Sequence, residues 1–139
     1  MKIYVGCSLT HAPEEFKREV CGLKNKLSAL PEVEVLEFLG LVAGTAHDVY
    51  VHDIIGCVGQ CDMMVAICDF PSIGLGWEMA TQVVRGKPLL AFAQEESKVT
   101  RFIFDPQVSG YSFHRYRTLS EVFDRVKSKL EREFATVVS

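Results

Sequence analysis

The sequence predicts an α/β domain in which a parallel sheet lies between two layers of helices. Two observations carry this reading. Short apolar runs alternate along the chain with longer segments whose apolar residues recur at helical spacing. The central runs, Met63 to Cys68 and Pro88 to Ala93, are apolar nearly throughout, as strands covered on both faces are.

Each element has its own justification. Lys2 to Gly6 reads as a first strand. From Pro13 to Leu30 the residues Phe16, Val20, Leu23, Leu27 and Leu30 fall on one helical face, and Pro13 suits a first turn, where its missing N–H costs nothing. Val33 to Leu39 reads as a second strand, followed by a Gly/Ala/Thr-containing loop from Gly40 to His47. Asp48 suits the N-cap of a helix through about Cys61, which Gly56 and Gly59 weaken. Met63 to Cys68 is strand three, Trp77 to Arg85 a helix stopped by Gly86, and Pro88 to Ala93 strand four. Ser97 to Phe104 is expected as a short helix and Ser112 to Arg117 as the last strand. Ser120 to Phe134 is the final helix, with Leu119, Val122, Phe123, Val126 and Leu130 on one face. The expected architecture is a flavodoxin-like three-layer sandwich with a five-stranded parallel sheet. Ligands in such sheets bind beyond the carboxyl ends of the strands, near the switch in strand order. Here those ends are the loops Gly6 to His11 and Asp69 to Gly76.

Composition narrows the function. The 139 residues, 48% of them hydrophobic, suffice for one domain over positions 1–139 with a proper core. A formal charge of −3 and no cluster of Lys or Arg with interleaved aromatics argue against a nucleic acid polymer as partner. No apolar run is long enough for a membrane span, and Met1 to Val5 lacks the regions of a signal peptide, so a cytoplasmic protein is expected. The five cysteines form no CxxC pair. Cys57 and Cys61 could share a helix face, but no His pair nearby completes a zinc-like set, and the four histidines are scattered. Reduced, structural thiols and no metal or cofactor are expected.

The chemistry concentrates in Phe70-Pro71-Ser72-Ile73-Gly74-Leu75-Gly76-Trp77-Glu78. A buried strand that breaks into a Ser/Gly loop and restarts as a helix presents N–H groups to an anion, with a carboxylate in the helix's first turns. Glycine also serves ordinary tight turns, and the segment lacks the third glycine of the dinucleotide fingerprint. Two further segments join it: Tyr4-Val5-Gly6-Cys7-Ser8-Leu9 at the end of strand one, and His52-Asp53-Ile54-Ile55 in the helix before strand three.

In that order and spacing the three segments resemble the nucleoside 2-deoxyribosyltransferase superfamily, most closely its branch of 2'-deoxynucleoside 5'-phosphate N-hydrolases. The resemblance runs from about Tyr4 to the end of strand four and more loosely to Phe113. It implies that Glu78 is the nucleophile at the anomeric carbon of the sugar, and that Asp53 and Tyr4 are its catalytic partners. It implies too that Gly6, Cys7, Ser8 and Leu9 of the first loop, with Ser72, Gly74 and Gly76, bind a small nucleotide or nucleoside. A homodimer or larger homo-oligomer is implied as well, in which the segment Ser109 to Phe113, Ser112 included, completes a neighbouring subunit's site.

Such roles make chemical sense. Cleaving an N-glycosidic bond develops oxocarbenium character, so one carboxylate traps the sugar while a second acid protonates the base and then activates water. Two carboxylates in one cleft push their pKa values apart, which would let Glu78 stay ionised while Asp53 carries a proton. Serine at 72, where the transferase branch tends to carry an acid, favours a 5'-monophosphate, and Ser8 matches a serine of the hydrolase loop. Two positions depart from the hydrolase pattern: Thr10 stands where that loop has arginine, and Tyr111 where the neighbour's serine is expected. The rival readings are a deoxyribosyltransferase that passes the sugar to a second base, a phosphoribohydrolase, whose Pro-Gly-Gly-x-Gly-Thr pattern is missing, and a noncatalytic nucleotide-binding module.

Overall fold

The structure is a computed structural model that describes residues 1–40 and 44–138. Positions 41–43 of the expected 40–47 loop lie outside the described residues. Strands β1 (Lys2–Cys7), β2 (Glu34–Leu36), β3 (Met63–Ile67), β4 (Leu89–Gln94) and β5 (Tyr111–Tyr116) form one all-parallel sheet in the order β2-β1-β3-β4-β5. This is the expected flavodoxin-like sheet, and its switch point lies between β1 and β3.

Alternation along each strand sorts side chains between two cores. Ile3, Val5, Met63, Val65, Ile67, Leu90 and Phe92 face one side, where they pack on helix α1 (Glu14–Ser28) and helix α4 (Leu119–Val138). Tyr4, Met64, Ala66, Leu89 and Ala91 face the other, against Leu75 of helix α3 (Ile73–Val84) and Cys57, Val58 and Cys61 of the segment before β3. No helix among the described residues is long and apolar enough to cross a membrane.

The second strand is shorter than the expected Val33 to Leu39, the expected helix from Ser97 to Phe104 is a single 3-10 turn, Arg101–Ile103, and three helix starts differ from expectation for local reasons. Pro13 is the N-cap of α1, with extended backbone, and not a residue of its first turn. Asp48, conversely, is not a cap but lies inside its helix, α2 (Ala46–Val49). Thr45 caps it, its Oγ1 accepting from Asp48 N at 3.1 Å while Asp48 Oδ2 accepts from Thr45 N at 2.9 Å, a reciprocal capping box. Helix α3 begins at Ile73, four residues earlier than expected, because Ser72 caps it: its Oγ accepts from Leu75 N at 3.1 Å. Gly74 and Gly76 are therefore helical and have negative φ.

Helix α2 runs on as a π-helix, Tyr50–Val58. Its end explains Gly59, whose N–H donates to Ile54 O at 2.6 Å, five residues back. A Cβ at Gly59 would stand 2.4 Å from the Ile55 carbonyl oxygen, so the wide turn requires glycine there. Carbonyls on either side of it are collected by Arg85, the C-cap of α3, which donates to Val58 O and to Cys61 O and also to Gln82 Oε1 at 2.9 Å. Fully buried Gln82 in turn donates to Pro88 O at 3.0 Å. This polar lock fixes α3 against the π-helix.

Candidate active site

The cleft at the switch point, about 460 Å³, is walled by the β1 loop (Cys7, Leu9, Thr10, His11), by Leu39, Gly40 and Asp53, and by the start of α3 with Ser72, Gly74 and Glu78. Clefts of about 550 and 570 Å³ open elsewhere on the surface. Chemistry distinguishes the first. Among the described residues, the buried side-chain oxygen without a hydrogen-bond partner is Glu78 Oε2. A buried polar atom left unpaired costs about 1–3 kcal/mol, so it marks strain or a function.

Glu78 stands in the second turn of α3 and is only 9% exposed. Burial pushes its carboxyl up to about 7; Tyr4, as a hydrogen-bonding neighbour, opposes the rise, and the charge of Asp53 adds to it. Depth, and not only mutual repulsion, thus governs this carboxylate. Tyr4 lies beneath it, 1% exposed, its phenol held far above the usual range by burial and by the Glu78 charge. A neutral phenol aimed at a carboxylate steadies the ionised form.

Asp53 is half-buried on the π-helix, and its Oδ1 accepts from Leu39 N at 2.8 Å. That bond ties the carboxylate to the stretch following β2 and orients it at the cleft. Beside Glu78 a smaller apolar slot of about 240 Å³ opens between Val49, Tyr50 and Ile54 of one helix and Ile73 and Trp77 of the other. Trp77 is 63% exposed although it sits one residue before a buried carboxylate.

The first turn of α3 has the features of an anion site. Leu75 N is taken by Ser72 Oγ and Gly76 N by Ser72 O at 3.2 Å. The N–H groups of Ile73 and Gly74 have no intrahelical acceptor. A Cβ on Gly74 would meet nothing nearer than Ser72 Oγ at 3.9 Å, so glycine here leaves open space at the cleft wall and serves no backbone strain.

Of the expected residues, the fold brings Glu78, Asp53, Cys7, Leu9, Ser72 and Gly74 to one cleft, with Tyr4 under its floor. Four stand elsewhere. Ser8 is buried and its hydroxyl donates to Pro71 O at 3.1 Å, tying the two loops together away from the cleft wall. Gly6 is a packing glycine: a Cβ there would come within 2.8 Å of Leu75 Cδ1. Gly76 faces a separate hollow near Met79 and Lys98. Ser112 pairs in register with Leu90, so it points to the α4 side of the sheet, where His114 Nε2 lies 3.2 Å from its Oγ. Its neighbours Tyr111 and Phe113 face the side that carries Glu78. Cys7 lines the cleft as a neutral thiol, because burial raises it to about 11.

Sequence reasoning missed the slot residues Val49 and Tyr50, and Ile54 was in view only as a neighbour of Asp53. Trp77 was within view, as the aromatic residue inside the Gly-x-Gly-aromatic-Glu segment, but its exposure in a chain with a well-filled core is what marks it. A further support is Asp69, at the end of β3, whose Oδ1 accepts from Gln94 N at 3.0 Å and Oδ2 from Tyr116 Oη at 2.5 Å. It clamps the ends of three strands below the loop that leads to Ser72.

Comparison with known proteins agrees with this frame. No family model matches the chain. A curated protein of Thermofilum pendens, provisionally named 2'-deoxynucleoside 5'-phosphate N-hydrolase 1, is 30% identical over 88 residues, which are 62% of this chain and 61% of the relative. The match thus spans less than two thirds of that relative. Among solved structures, the CMP N-glycosidase BcmB of Clostridium botulinum superposes with a TM-score of 0.67 at 18% identity, over 91% of this chain and 99% of the other. A conserved protein from Enterococcus faecalis V583 does so with a TM-score of 0.60 at 13% identity, over 92% and 98%. At such identities these two likenesses concern the fold. With the sheet order, the three motifs and the Thermofilum relative in agreement, the chain resembles the nucleoside 2-deoxyribosyltransferase superfamily, on the side of its 2'-deoxynucleoside 5'-phosphate N-hydrolases.

Proposed function

We propose that the protein is an N-glycosidase that hydrolyses (deoxy)nucleoside 5'-monophosphates to free base and (deoxy)ribose 5-phosphate. The observation that carries this reading is the buried Glu78 carboxylate, one oxygen unpartnered, at the wall of a cleft that also holds Asp53. A Glu78 oxygen bonds to C1' as the C1'–N bond breaks, and the base leaves with a proton from Asp53. Asp53 then takes a proton from water, which attacks C1' and frees Glu78. Tyr4 holds the nucleophile in place. The slot between Tyr50 and Trp77 suits a flat base, and the phosphate is received at the start of α3 by Ser72 and the N–H groups of Ile73 and Gly74. His11, at the rim, stands closest in role to the arginine absent at Thr10.

The test is incubation with a panel of nucleosides and 5'-monophosphates, with and without an acceptor base, and chromatography of the products. Free base and sugar phosphate from monophosphates alone support the proposal. Base exchange on free nucleosides would move the protein to the transferases, and saturable binding without turnover would make it a binding module.

Ser72→Asp sharpens the phosphate assignment. Aspartate caps a helix as well as serine, so α3 stays formed, but a fixed negative charge then faces the dianion. The wild type is expected to prefer the monophosphate over the nucleoside in kcat/KM, and the variant to lose that preference, a change of about tenfold or more if ~1.4 kcal/mol of repulsion is felt. A variant with wild-type preference would remove Ser72 from the phosphate site.

The active form is proposed to be a homodimer or larger assembly. Exposed Tyr50, Ile73 and Trp77 around the slot are apolar surface that a neighbour would cover. Sedimentation of the active protein at assay concentration is expected to give at least twice the 15.6 kDa chain mass, and a fully active monomer would refute it.

A further inference from the structure

The π-helix gathers three residues that α-helical spacing keeps apart. In an α-helix, five residues overshoot a full turn by about 140°, so His52 and Cys57 would diverge. Where hydrogen bonds join i to i+5, those residues come nearly into line, with Asp53 close by. A ring nitrogen of His52, a carboxylate oxygen of Asp53 and Sγ of Cys57 accordingly lie within 4.8 Å of one another. Imidazole, carboxylate and thiolate together form the donor set of a zinc-class ion, and three protein ligands leave a fourth position open.

A second observation strengthens the grouping. The Glu37 carbonyl oxygen lies 2.7 Å from His52 Nε2 and 3.3 Å from Cys57 Sγ, which donates to it. Two of the three donors are therefore held in place by one fixed backbone atom, while Leu39 N holds the third through Asp53 Oδ1. The stretch Glu37 to Leu39 is itself anchored by buried Lys24, whose Nζ stands 3.1 Å from Glu37 Oε2 and 3.8 Å from the centre of the Phe38 ring. These bonds group the three side chains from outside the helix, with the Cys57 thiol's own bond to Glu37 O being the one that metal binding replaces.

We propose that His52, Asp53 and Cys57 bind a thiophilic divalent cation of the zinc class, and that the bound ion inhibits the enzyme by withdrawing Asp53. On binding, the Cys57 S–H bond and its hydrogen bond to Glu37 O break, a metal–sulfur bond forms and the proton passes to solvent; no oxidation state changes. The site itself stands on geometry alone. Only the inhibition rests on Asp53 having the role proposed above.

Cobalt(II) titration of the reduced protein tests the site without an activity assay. A thiolate-to-cobalt charge-transfer band should rise and saturate at one ion per chain, and zinc should bleach it. Cys57→Ser is expected to abolish the band. His52→Ala, at an exposed position where folding is not at issue, should weaken cobalt binding by no less than the roughly 10–100-fold lost with outer-shell partners. Cys61→Ser should leave the band intact. No thiolate band, or a band of unchanged affinity in His52→Ala, would overturn the site. For the inhibition, one equivalent of zinc should stop base release by the wild type and spare His52→Ala, which keeps its metal-free activity. Full activity of the zinc-loaded wild type would refute the inhibition, whereas a metal-free protein that releases no base from any nucleotide would count against the proposed function and leave the site standing.

Discussion

Glu78→Gln is expected to abolish base release and also to stabilise the fold at and above neutral pH. The first effect follows from chemistry: the amide keeps the shape of the side chain but cannot form the glycosyl ester, and losing a covalent nucleophile costs on the order of 10⁴-fold or more in kcat. The second follows from linkage. The carboxyl rises from an ordinary 4.5 to about 7 in the folded protein, chiefly through burial. Between those values the native state binds more protons than the unfolded chain, so the protonated carboxyl's contribution is complete below pH 4.5 and is lost as pH rises through 7. A gap of that size is worth up to about 3 kcal/mol at alkaline pH. Glutamine has no charge to desolvate, yet its amide is left in the same unpaired position, so a gain of about 1–3 kcal/mol is expected near pH 8 and almost none near pH 5. Urea denaturation at both pH values checks this. A folded Glu78→Gln protein with near-normal turnover would remove Glu78 from the mechanism.

Asp53→Asn separates catalysis from scaffolding. Asparagine still offers an oxygen to Leu39 N, so the tie across the cleft persists and the fold should be unaffected. What it lacks is a proton to give and take, which should lower kcat by about 10²–10⁴-fold with little change in KM. A second signature distinguishes this from mere repositioning. The charge of Asp53 helps to raise Glu78, so its removal lowers the Glu78 carboxyl. Activity requires that carboxyl ionised while Asp53 still holds a proton, so the pair must keep one proton between them. In the wild type kcat/KM should therefore fall as pH rises through about 7, where the pair loses its last proton, and Asp53→Asn, with no acid left to lose, should keep its residual activity there. An Asn variant with wild-type kcat would reduce Asp53 to an anchor for Leu39, and a falling limb that persists in the variant would deny the coupling.

The outline of the fold was readable from sequence because it depends on local pattern, whereas Glu78, Asp53 and Tyr4 were singled out through the family resemblance of the segments that carry them. Apolar runs of strand length are buried on both faces only in a covered parallel sheet, and helical periodicity supplied the covering layers. The motifs at Tyr4, Asp53 and Glu78 fall next to strand ends that any such sheet brings together. Boundaries depended on hydrogen bonds that residue type leaves open. Asp48 was expected as a cap, but reciprocal bonding makes Thr45 the cap and puts Asp48 inside the helix; Ser72 was expected in the loop, and its bond to Leu75 N makes it the cap of α3. Ser8 and Ser72 look alike in sequence, but Ser8 spends its hydroxyl on Pro71 O and leaves the cleft, whereas Ser72 stays at its wall. Ser112 was lost to the site by register, since pairing with Leu90 turned it to the opposite face of the sheet. The π-helix is the clearest case. Gly56 and Gly59 read only as weak helix residues, yet the wide turn at Gly59, together with the polar lock from Arg85, sets the spacing that unites His52, Asp53 and Cys57. Sequence by itself determined which surfaces are buried, because hydrophobic pattern is a local property with a fixed period. Tertiary structure decided how deeply Glu78 is desolvated and which hydroxyls and thiols face the cleft, because both depend on neighbours contributed by distant parts of the chain.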